Sequence, residues 1–309
     1  MIETWAQSLP HGITLSCRAA GERGRPVLLF LHGFPEGAFI WDDLLRFFAQ
    51  PENGGYRCVA PNLRGFEASS RPTDVKAYRA KYLVQDILAL IDSEVGPTAS
   101  LAALVAHDWG GAVAWNLVNQ HPQRVDRLAI INSPHPGTFL QALQNDPAQQ
   151  AASEYMNALI EPDAQATFSA NDFARLFSIF SASRESSHSQ AAALPLWMTP
   201  TLKARYRALW QAGLDGGLNY YRASPLRPPR SADPAAAAIT LPPEALRIER
   251  PTLVLWGQKD HALLPVLTQG LETYIPDLKL VPLPNASHWV VHEEPERVRQ
   301  ELAAFLRSA

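Results

Sequence analysis

The chain has 309 residues, of which 47% are hydrophobic, so it can form one large α/β domain with an insertion, or two domains. Its net charge of −3 gives no electrostatic basis for binding nucleic acid. Two cysteines, Cys17 and Cys58, exclude a disulfide framework, and the nine histidines lack the spacing of a zinc site. We therefore predict neither a nucleic-acid partner nor a metal centre.

The N-terminal residues 1–7 contain no basic segment followed by an apolar stretch, so we expect no secretory signal. No apolar run in the sequence reaches the ~20 residues that a bilayer-spanning helix requires. These features predict a cytoplasmic protein that does not insert into a membrane.

Apolar strands alternate with amphipathic helices over residues 27–133, which indicates βαβ units and a mostly parallel sheet with helices on both faces. The first strands, within residues 4–19, are expected to add an antiparallel edge. The pattern predicts a strand at 125–131 and helices at 41–48, 82–94 and 112–120. The fold class is therefore α/β.

The pattern changes after residue 134, where helices without strand signals are predicted at 151–160, 170–181, 201–212 and 217–223. Such an insertion is expected to form a helical cap over the carboxyl edge of the sheet, where ligands bind. The return segment, 225–251, is rich in proline and reads as a stiff linker. We predict a core domain of residues 1–135 and 250–309 and a cap domain of residues 136–249.

A tight turn separates the buried strand at 99–106 from the helix at 112–120, and it contains Asp108, Trp109, Gly110 and Gly111. A sharp turn from strand to helix strains the backbone of the residue at its tip, and glycines leave room around it. A carboxylate is ionised near neutral pH and can attack an sp3 carbon without a base. Asp108 is therefore the predicted nucleophile, and its product is an alkyl ester of the enzyme.

Water can hydrolyse such an ester if a histidine removes a proton from it. His288 follows the last predicted strand and is the expected base. Asp260 ends another strand and is expected to orient that histidine. The alternatives that stay open are His261 and His292 for the base, and Glu293 and Glu294 for the acid.

Backbone N–H groups must also stabilise the oxyanion of the hydrolysis step. The loop 31–35, directly after the apolar run 27–31, can supply the N–H of Phe34, and the turn can supply the N–H of Trp109. His107 precedes the nucleophile on its strand, so its side chain is expected to point away from the site.

Together these motifs resemble those of the α/β-hydrolase-fold epoxide hydrolases, whose aspartate nucleophile relates them to haloalkane dehalogenases. The resemblance covers nearly the whole chain and depends on residues 32–35, 107–111, 260 and 288–289. It implies an α/β-hydrolase fold with an inserted helical cap and no cofactor. The partners it implies are a small-molecule epoxide and water, and a homodimer is left open. Some related dehalogenases place the acid directly after the strand that ends near residue 131, where this chain has Asn132 and Ser133.

In the cap, residues 219–222 resemble the family segment in which a tyrosine before arginine donates to the epoxide oxygen, which indicates Tyr221. Tyr155 resembles its partner. Opening an epoxide leaves an alkoxide, and a phenol with a pKa of about 10 can donate to it; the alternative role for both tyrosines is packing with solvated tips. Expected substrate-binding residues are His32, which we expect chiefly to order its loop, Pro35, Trp109, His135, Tyr220 and Trp289.

Three functions follow from these residues. The first is hydrolysis of an epoxide to a vicinal diol. The second is haloalkane or haloacid dehalogenation by the same Asp108, with the Trp109 indole binding halide. A departing halide needs no proton, so both cap phenols would be idle, and Phe34 stands where many haloalkane dehalogenases have asparagine. The third is a binding module without chemistry, which is disfavoured because every catalytic position has a candidate.

Overall fold

The structure is a computed structural model that describes residues 1–181, 194–231 and 233–307. An 8-stranded sheet has the order β1-β2-β4-β3-β5-β6-β7-β8. β1 and β2 are antiparallel to their neighbours and the others are parallel, as predicted. This confirms the α/β fold class. The strands are β1 (Glu3–Ser8), β2 (Thr14–Ala20), β3 (Val27–Leu31), β4 (Arg57–Pro61), β5 (Ala103–His107), β6 (Leu128–Ile131), β7 (Thr252–Gly257) and β8 (Leu278–Leu283).

Every residue of the five central strands, β3 to β7, is buried. Parallel strands covered on both faces have this pattern, because helices shield each side of the sheet from water. The two edge strands keep exposed residues. The carboxyl ends of the central strands therefore open toward a single edge, which positions the site.

Helices connect the strands along the chain, with a run of six between β6 and β7 and two more after β8. The α-helices of the described residues are α1 (Asp42–Phe48), α2 (Ala80–Val95), α3 (Trp109–Gln120), α4 (Pro136–Asn145), α5 (Pro147–Ala152), α6 (Tyr155–Leu159), α7 (Ala164–Ile179), α8 (Pro200–Gln211), α9 (Asp215–Ala223), α10 (Val290–Glu293) and α11 (Pro295–Arg307). The predicted helices at 41–48, 82–94 and 112–120 match α1, α2 and α3 within a few residues. Helices α4, α10 and α11 were not predicted.

Helices α4 to α9 lie between β6 and β7, in the segment for which a cap is predicted, and are called the cap below. Helix α7 is broken in the middle, because Asn171, Asp172 and Phe173 have positive φ values of 51°, 56° and 61°. The predicted helix at 170–181 corresponds to the part of α7 after this break. The boundaries of core and cap given above stay a prediction. In the described ranges, no helix is both long and apolar enough to cross a membrane.

Helix α9 meets the core through a contact between two backbones. A Cβ on Gly216 would lie 2.6 Å from the carbonyl carbon of Gly65, and a Cβ on Gly217 would lie 2.7 Å from the ring of Phe34. The neighbouring Tyr220 hydroxyl donates to the Arg64 carbonyl at 2.9 Å. These contacts attach one cap helix directly to the loop after β4.

We expect Gly216→Ala to destabilise the protein by roughly 1–3 kcal/mol, because backbone on both sides of the contact leaves no space for a methyl group. Helix propensity alone predicts the opposite sign, a gain of about 0.5–1 kcal/mol. Urea unfolding of the two proteins distinguishes the effects, since a midpoint that rises for Gly216→Ala would show that the contact is not limiting.

Candidate active site

Asp108 occupies the turn between β5 and α3 with a positive φ of 49° and a ψ of −122°. A residue other than glycine held at such angles is strained, and surrounding contacts must maintain it. A Cβ on Gly110 would lie 2.6 Å from the His32 carbonyl oxygen, and a Cβ on Gly111 would overlap Ser133. The Ser133 hydroxyl donates to the Asp108 carbonyl at 2.6 Å. The turn thus directs the Asp108 side chain away from the sheet.

The loop after β3 approaches the Asp108 carboxylate from one side. The Phe34 N–H donates to Oδ1 of Asp108 at 2.8 Å. A Cβ on Gly33 would lie 2.7 Å from Cγ of Asp108, so only glycine fits there. Trp109 is the first residue of α3, where an amide has no acceptor within its own helix. Phe34 therefore already contacts the carboxylate, and a contact by the Trp109 N–H stays a prediction.

His32 orders that loop. Its Nε2 accepts from the Leu63 N–H at 3.0 Å, and its Nδ1 lies 2.9 Å from the Gly33 carbonyl oxygen. Burial lowers the pKa of His32 to about 4, so the ring is neutral and Nδ1 carries the proton. These contacts fit the loop-ordering role.

His288 and Asp260 lie beside the predicted nucleophile, Asp108, and follow β8 and β7. His288 Nδ1 is 2.8 Å from Oδ2 of Asp260, and Nε2 is 3.7 Å from Oδ2 of Asp108. Asp260 also accepts from the Asn132 amide at 2.7 Å and from the N–H groups of Ala262 and Leu263. Burial opposes ionisation of Asp260, but the charge and hydrogen bond of His288 outweigh it and lower the pKa. Asp260 is therefore an ionised partner.

The charges around His288 control its protonation. Burial alone would lower the pKa of His288, but Asp260, Asp108 and Glu36 outweigh burial and raise it to about 9. The resting site at neutral pH thus pairs an imidazolium with the Asp108 carboxylate. Loss of the negative charge of Asp108 would therefore lower the pKa of His288.

Glu36 was not among the predicted site residues. It is fully buried and lies directly after the loop that contains Phe34. Its Oε1 accepts from the Tyr206 hydroxyl at 2.5 Å and lies 2.8 Å from His292 Nε2, and its Oε2 lies 3.2 Å from His107 Nδ1. Burial opposes ionisation of Glu36, yet hydrogen bonds from His107 and His292 lower its pKa. The available signal was a glutamate next to an apolar run, 38–41.

His107 connects this glutamate to the base. Its Nε2 lies 3.0 Å from the His288 carbonyl oxygen, and the centroids of the His107 and His288 rings are 4.7 Å apart. His107 is not among the residues that line the cavity described below, and it contacts both the backbone and the ring of His288. The alternatives to the base and the acid have other contacts: His292 packs against Trp197, and Glu293 accepts from the Ser287 N–H and hydroxyl.

A cavity of about 1020 Å³ opens above the nucleophile. Asp108, His288, Tyr155 and Tyr221 all line it. The remaining wall is largely apolar and includes Phe34, Pro35, Leu159, Phe168, Ile179 and Trp289. The structure thus brings seven of the predicted site residues to one cavity, namely Asp108, His288, Tyr155, Tyr221, Phe34, Pro35 and Trp289.

Tyr155 and Tyr221 pack edge to face within the cap, with ring centroids 6.3 Å apart. Burial raises the pKa of Tyr155, as does the charge of Asp108. Burial likewise raises the pKa of Tyr221, whose ring packs edge to face against Trp109 and Tyr155. Both phenols therefore stay protonated at any ordinary pH, and both are donors.

Four predicted binding residues lie outside the cavity lining of the described residues, namely His32, Trp109, His135 and Tyr220. His135 stacks on Tyr274 and its Nδ1 accepts from the Gly137 N–H, where it caps α4. Tyr220 is one residue from Tyr221, and consecutive helical residues point in different directions. We do not retain these side chains as substrate contacts. In the described ranges, no three His, Cys, Asp or Glu side chains form a metal site.

We expect NMR titration of the resting enzyme to give His288 a pKa of about 9. Asp108→Asn should lower that pKa, because the substitution removes a negative charge that stabilises the imidazolium. Asp126→Asn is the matched control, since that carboxylate contacts Ser100 instead. A His288 pKa that is the same in Asp108→Asn would contradict the electrostatic coupling.

Comparison with known proteins places the chain in a family. A profile described as the alpha/beta hydrolase fold matches residues 26–295. The AB hydrolase superfamily protein YfhM of Bacillus subtilis is 31% identical over 301 residues, which cover 96% of this chain and 96% of that protein. Epoxide hydrolase 4 of Mus musculus is 32% identical over 299 residues, which cover 96% of this chain and 77% of that protein.

Solved structures agree with these relatives. A variant of an epoxide hydrolase from Bacillus megaterium superposes with a TM-score of 0.84 at 27% identity and covers 98% of this chain and 100% of its own. One of the epoxide hydrolases found in metagenomes from hot environments has a TM-score of 0.83 at 34% identity and covers 100% of both chains. This chain therefore belongs to the epoxide hydrolase family of the α/β-hydrolase fold.

Proposed function

We propose that the protein hydrolyses epoxides to vicinal diols through a covalent alkyl ester on Asp108. The observation that carries the proposal is that the Asp108 carboxylate, the His288 imidazole and the phenols of Tyr155 and Tyr221 all line one cavity. A carboxylate suits attack on carbon, and phenols suit an oxygen that must gain a proton.

In the first step, Oδ2 of Asp108 attacks the less hindered epoxide carbon while Phe34 holds Oδ1. The carbon–oxygen bond of the ring breaks, and the oxygen receives hydrogen bonds from Tyr155 and Tyr221. One of these phenols delivers its proton. The loss of charge on Asp108 lowers the pKa of His288, and the proton that His288 gives up returns to the phenolate, which becomes a phenol again.

In the second step, neutral His288 removes a proton from water, and the hydroxide attacks Cγ of the ester. Charge develops on Oδ1, where the Phe34 N–H already points and the Trp109 N–H is expected to contribute. Asp260 stabilises the imidazolium that forms. The bond between Cγ and Oδ2 then breaks, and the departing alkoxide takes the proton of the hydroxyl group that water added to Cγ. The diol leaves, and Asp108 is restored as a carboxylate.

Dehalogenation by the same nucleophile is the competing function. It would use the Trp109 indole to bind halide, but that indole packs against the Tyr221 ring and lies outside the cavity lining of the described residues. Halide departure would also leave both phenols without a role.

The first experiment incubates the wild-type protein and Asp108→Ala with styrene oxide and, in parallel, with bromobutane. We expect diol from the wild type alone, because Asp108→Ala has no nucleophile, and we expect no bromide. Mass spectrometry measures the diol and ion chromatography the bromide. Bromide without diol would reverse the assignment.

A single turnover in water enriched in the heavy oxygen isotope tests the ester itself. Water attacks Cγ, so the label should appear in Asp108 and not in the first equivalent of diol. Label in that first diol would indicate direct attack of water on the epoxide.

The cap phenols give a separate prediction. Tyr155→Phe and Tyr221→Phe should each lower kcat for styrene oxide about 100-fold, since each removes a donor to the developing alkoxide. Tyr220→Phe is the matched control on the same helix as Tyr221, because its hydroxyl contacts the Arg64 carbonyl outside the cavity. Equal losses in all three variants would indicate packing roles.

A further inference from the structure

The cavity is larger than a small epoxide such as styrene oxide requires. Its volume of about 1020 Å³ is at the upper end of the roughly 300–1,000 Å³ typical of ligand pockets. Most of the wall beyond the nucleophile is apolar. An extended substrate would fill this space, and its far end would lie among the other charged residues of the lining.

Arg175 is one of those residues. Its guanidinium lies 4.8 Å from the ring centroid of Phe168, which also lines the cavity, and the side chain is exposed. No carboxylate within the described ranges pairs with it. Other arginines of the cap helices do have carboxylate partners: Arg205 pairs with Asp42, Arg207 with Asp172, and Arg222 with Asp215.

The position of Arg175 relative to the nucleophile follows from α7. Arg175, Ser178 and Ile179 lie on one face of that helix, and all three line the cavity. The Ile179 carbonyl accepts from the indole of Trp289, the residue next to His288. Ile179 thus marks the catalytic end, and Arg175 lies about 6 Å farther along the helix.

We infer that Arg175 forms an anion-binding subsite, and that the enzyme acts on epoxides whose far end carries a carboxylate. The inference rests on the proposed function and names its substrate class. The planar guanidinium can receive a carboxylate through two parallel hydrogen bonds, and the Phe168 ring supports it from below. The epoxide then lies at Asp108 while the apolar chain crosses the cavity.

Glu154 is the charge that opposes such a ligand. It lines the same cavity, and its carboxylate accepts from the Asn157 amide at 3.0 Å. An anionic substrate is repelled by Glu154 and attracted by Arg175. Neutralising the two residues one at a time should therefore change the preference for an acid in opposite directions.

The test compares undecanoic acid carrying a terminal epoxide with its methyl ester. We expect wild-type kcat/KM to favour the acid about fivefold, as for a solvent-exposed ion pair, and salt to reduce the preference. Arg175→Gln should abolish the preference and Glu154→Gln should increase it. Lys203→Gln is the matched control, because its ammonium lies over the Phe177 ring and outside the cavity lining of the described residues.

Equal kcat/KM for acid and ester in the wild type would overturn the inference and leave the proposed function intact. If neither of these compounds nor styrene oxide is hydrolysed, the proposed function fails. The subsite is then tested by quenching of tryptophan fluorescence with undecanoic acid and methyl undecanoate. Tighter binding of the acid that is lost in Arg175→Gln supports the subsite, and equal binding refutes it.

Discussion

The strained backbone of Asp108 is the constraint on which the site depends. A positive φ at an aspartate persists only where neighbouring atoms exclude the alternatives, and here Gly110 and Gly111 approach the ends of β3 and β6 too closely for any side chain. The strain is useful because it lifts the carboxylate above the sheet and toward the Phe34 N–H. Every other group of the site is arranged around that one carboxylate.

The second constraint is charge balance in a buried space. Asp108, Asp260 and Glu36 are carboxylates around His288, and together they keep its pKa high in the resting state. Such a cluster is stable only if each charge has a partner, which is why Glu36 is contacted by Tyr206, His107 and His292. The same balance makes the pKa of His288 depend on the charge of Asp108, because Nε2 of His288 lies only 3.7 Å from Oδ2 of Asp108.

The fold and the family could be predicted because they depend on local patterns. Buried parallel strands are continuous apolar runs, and the turn after β5 needs glycines at fixed positions, so both features are visible in the chain. Placing Asp260 and His288 near Asp108 required only that carboxyl ends of parallel strands meet at one edge of the sheet.

The missed features depend on contacts between distant segments. Glu36 gains its partners from β5, α8 and α10, and no local pattern indicates that these converge. Tyr220 and His135 were expected to contact the substrate, but Tyr220 lies one residue before Tyr221 on α9, and His135 caps α4. The direction of a side chain on a helix changes with each residue, so adjacency in sequence did not give a shared face.

The contact between Gly65 and Gly216 divides the cap into two functional parts. Helix α9, which carries Tyr221, is attached to the core backbone, whereas Tyr155, Phe168 and Arg175 belong to α6 and α7. Substitutions in α6 and α7 can change the shape and charge of the cavity while α9 keeps Tyr221 near Asp108. New substrate ranges can therefore evolve, or be engineered, through residues such as Phe168 and Arg175, provided that Tyr155 and Tyr221 keep their places in the cavity.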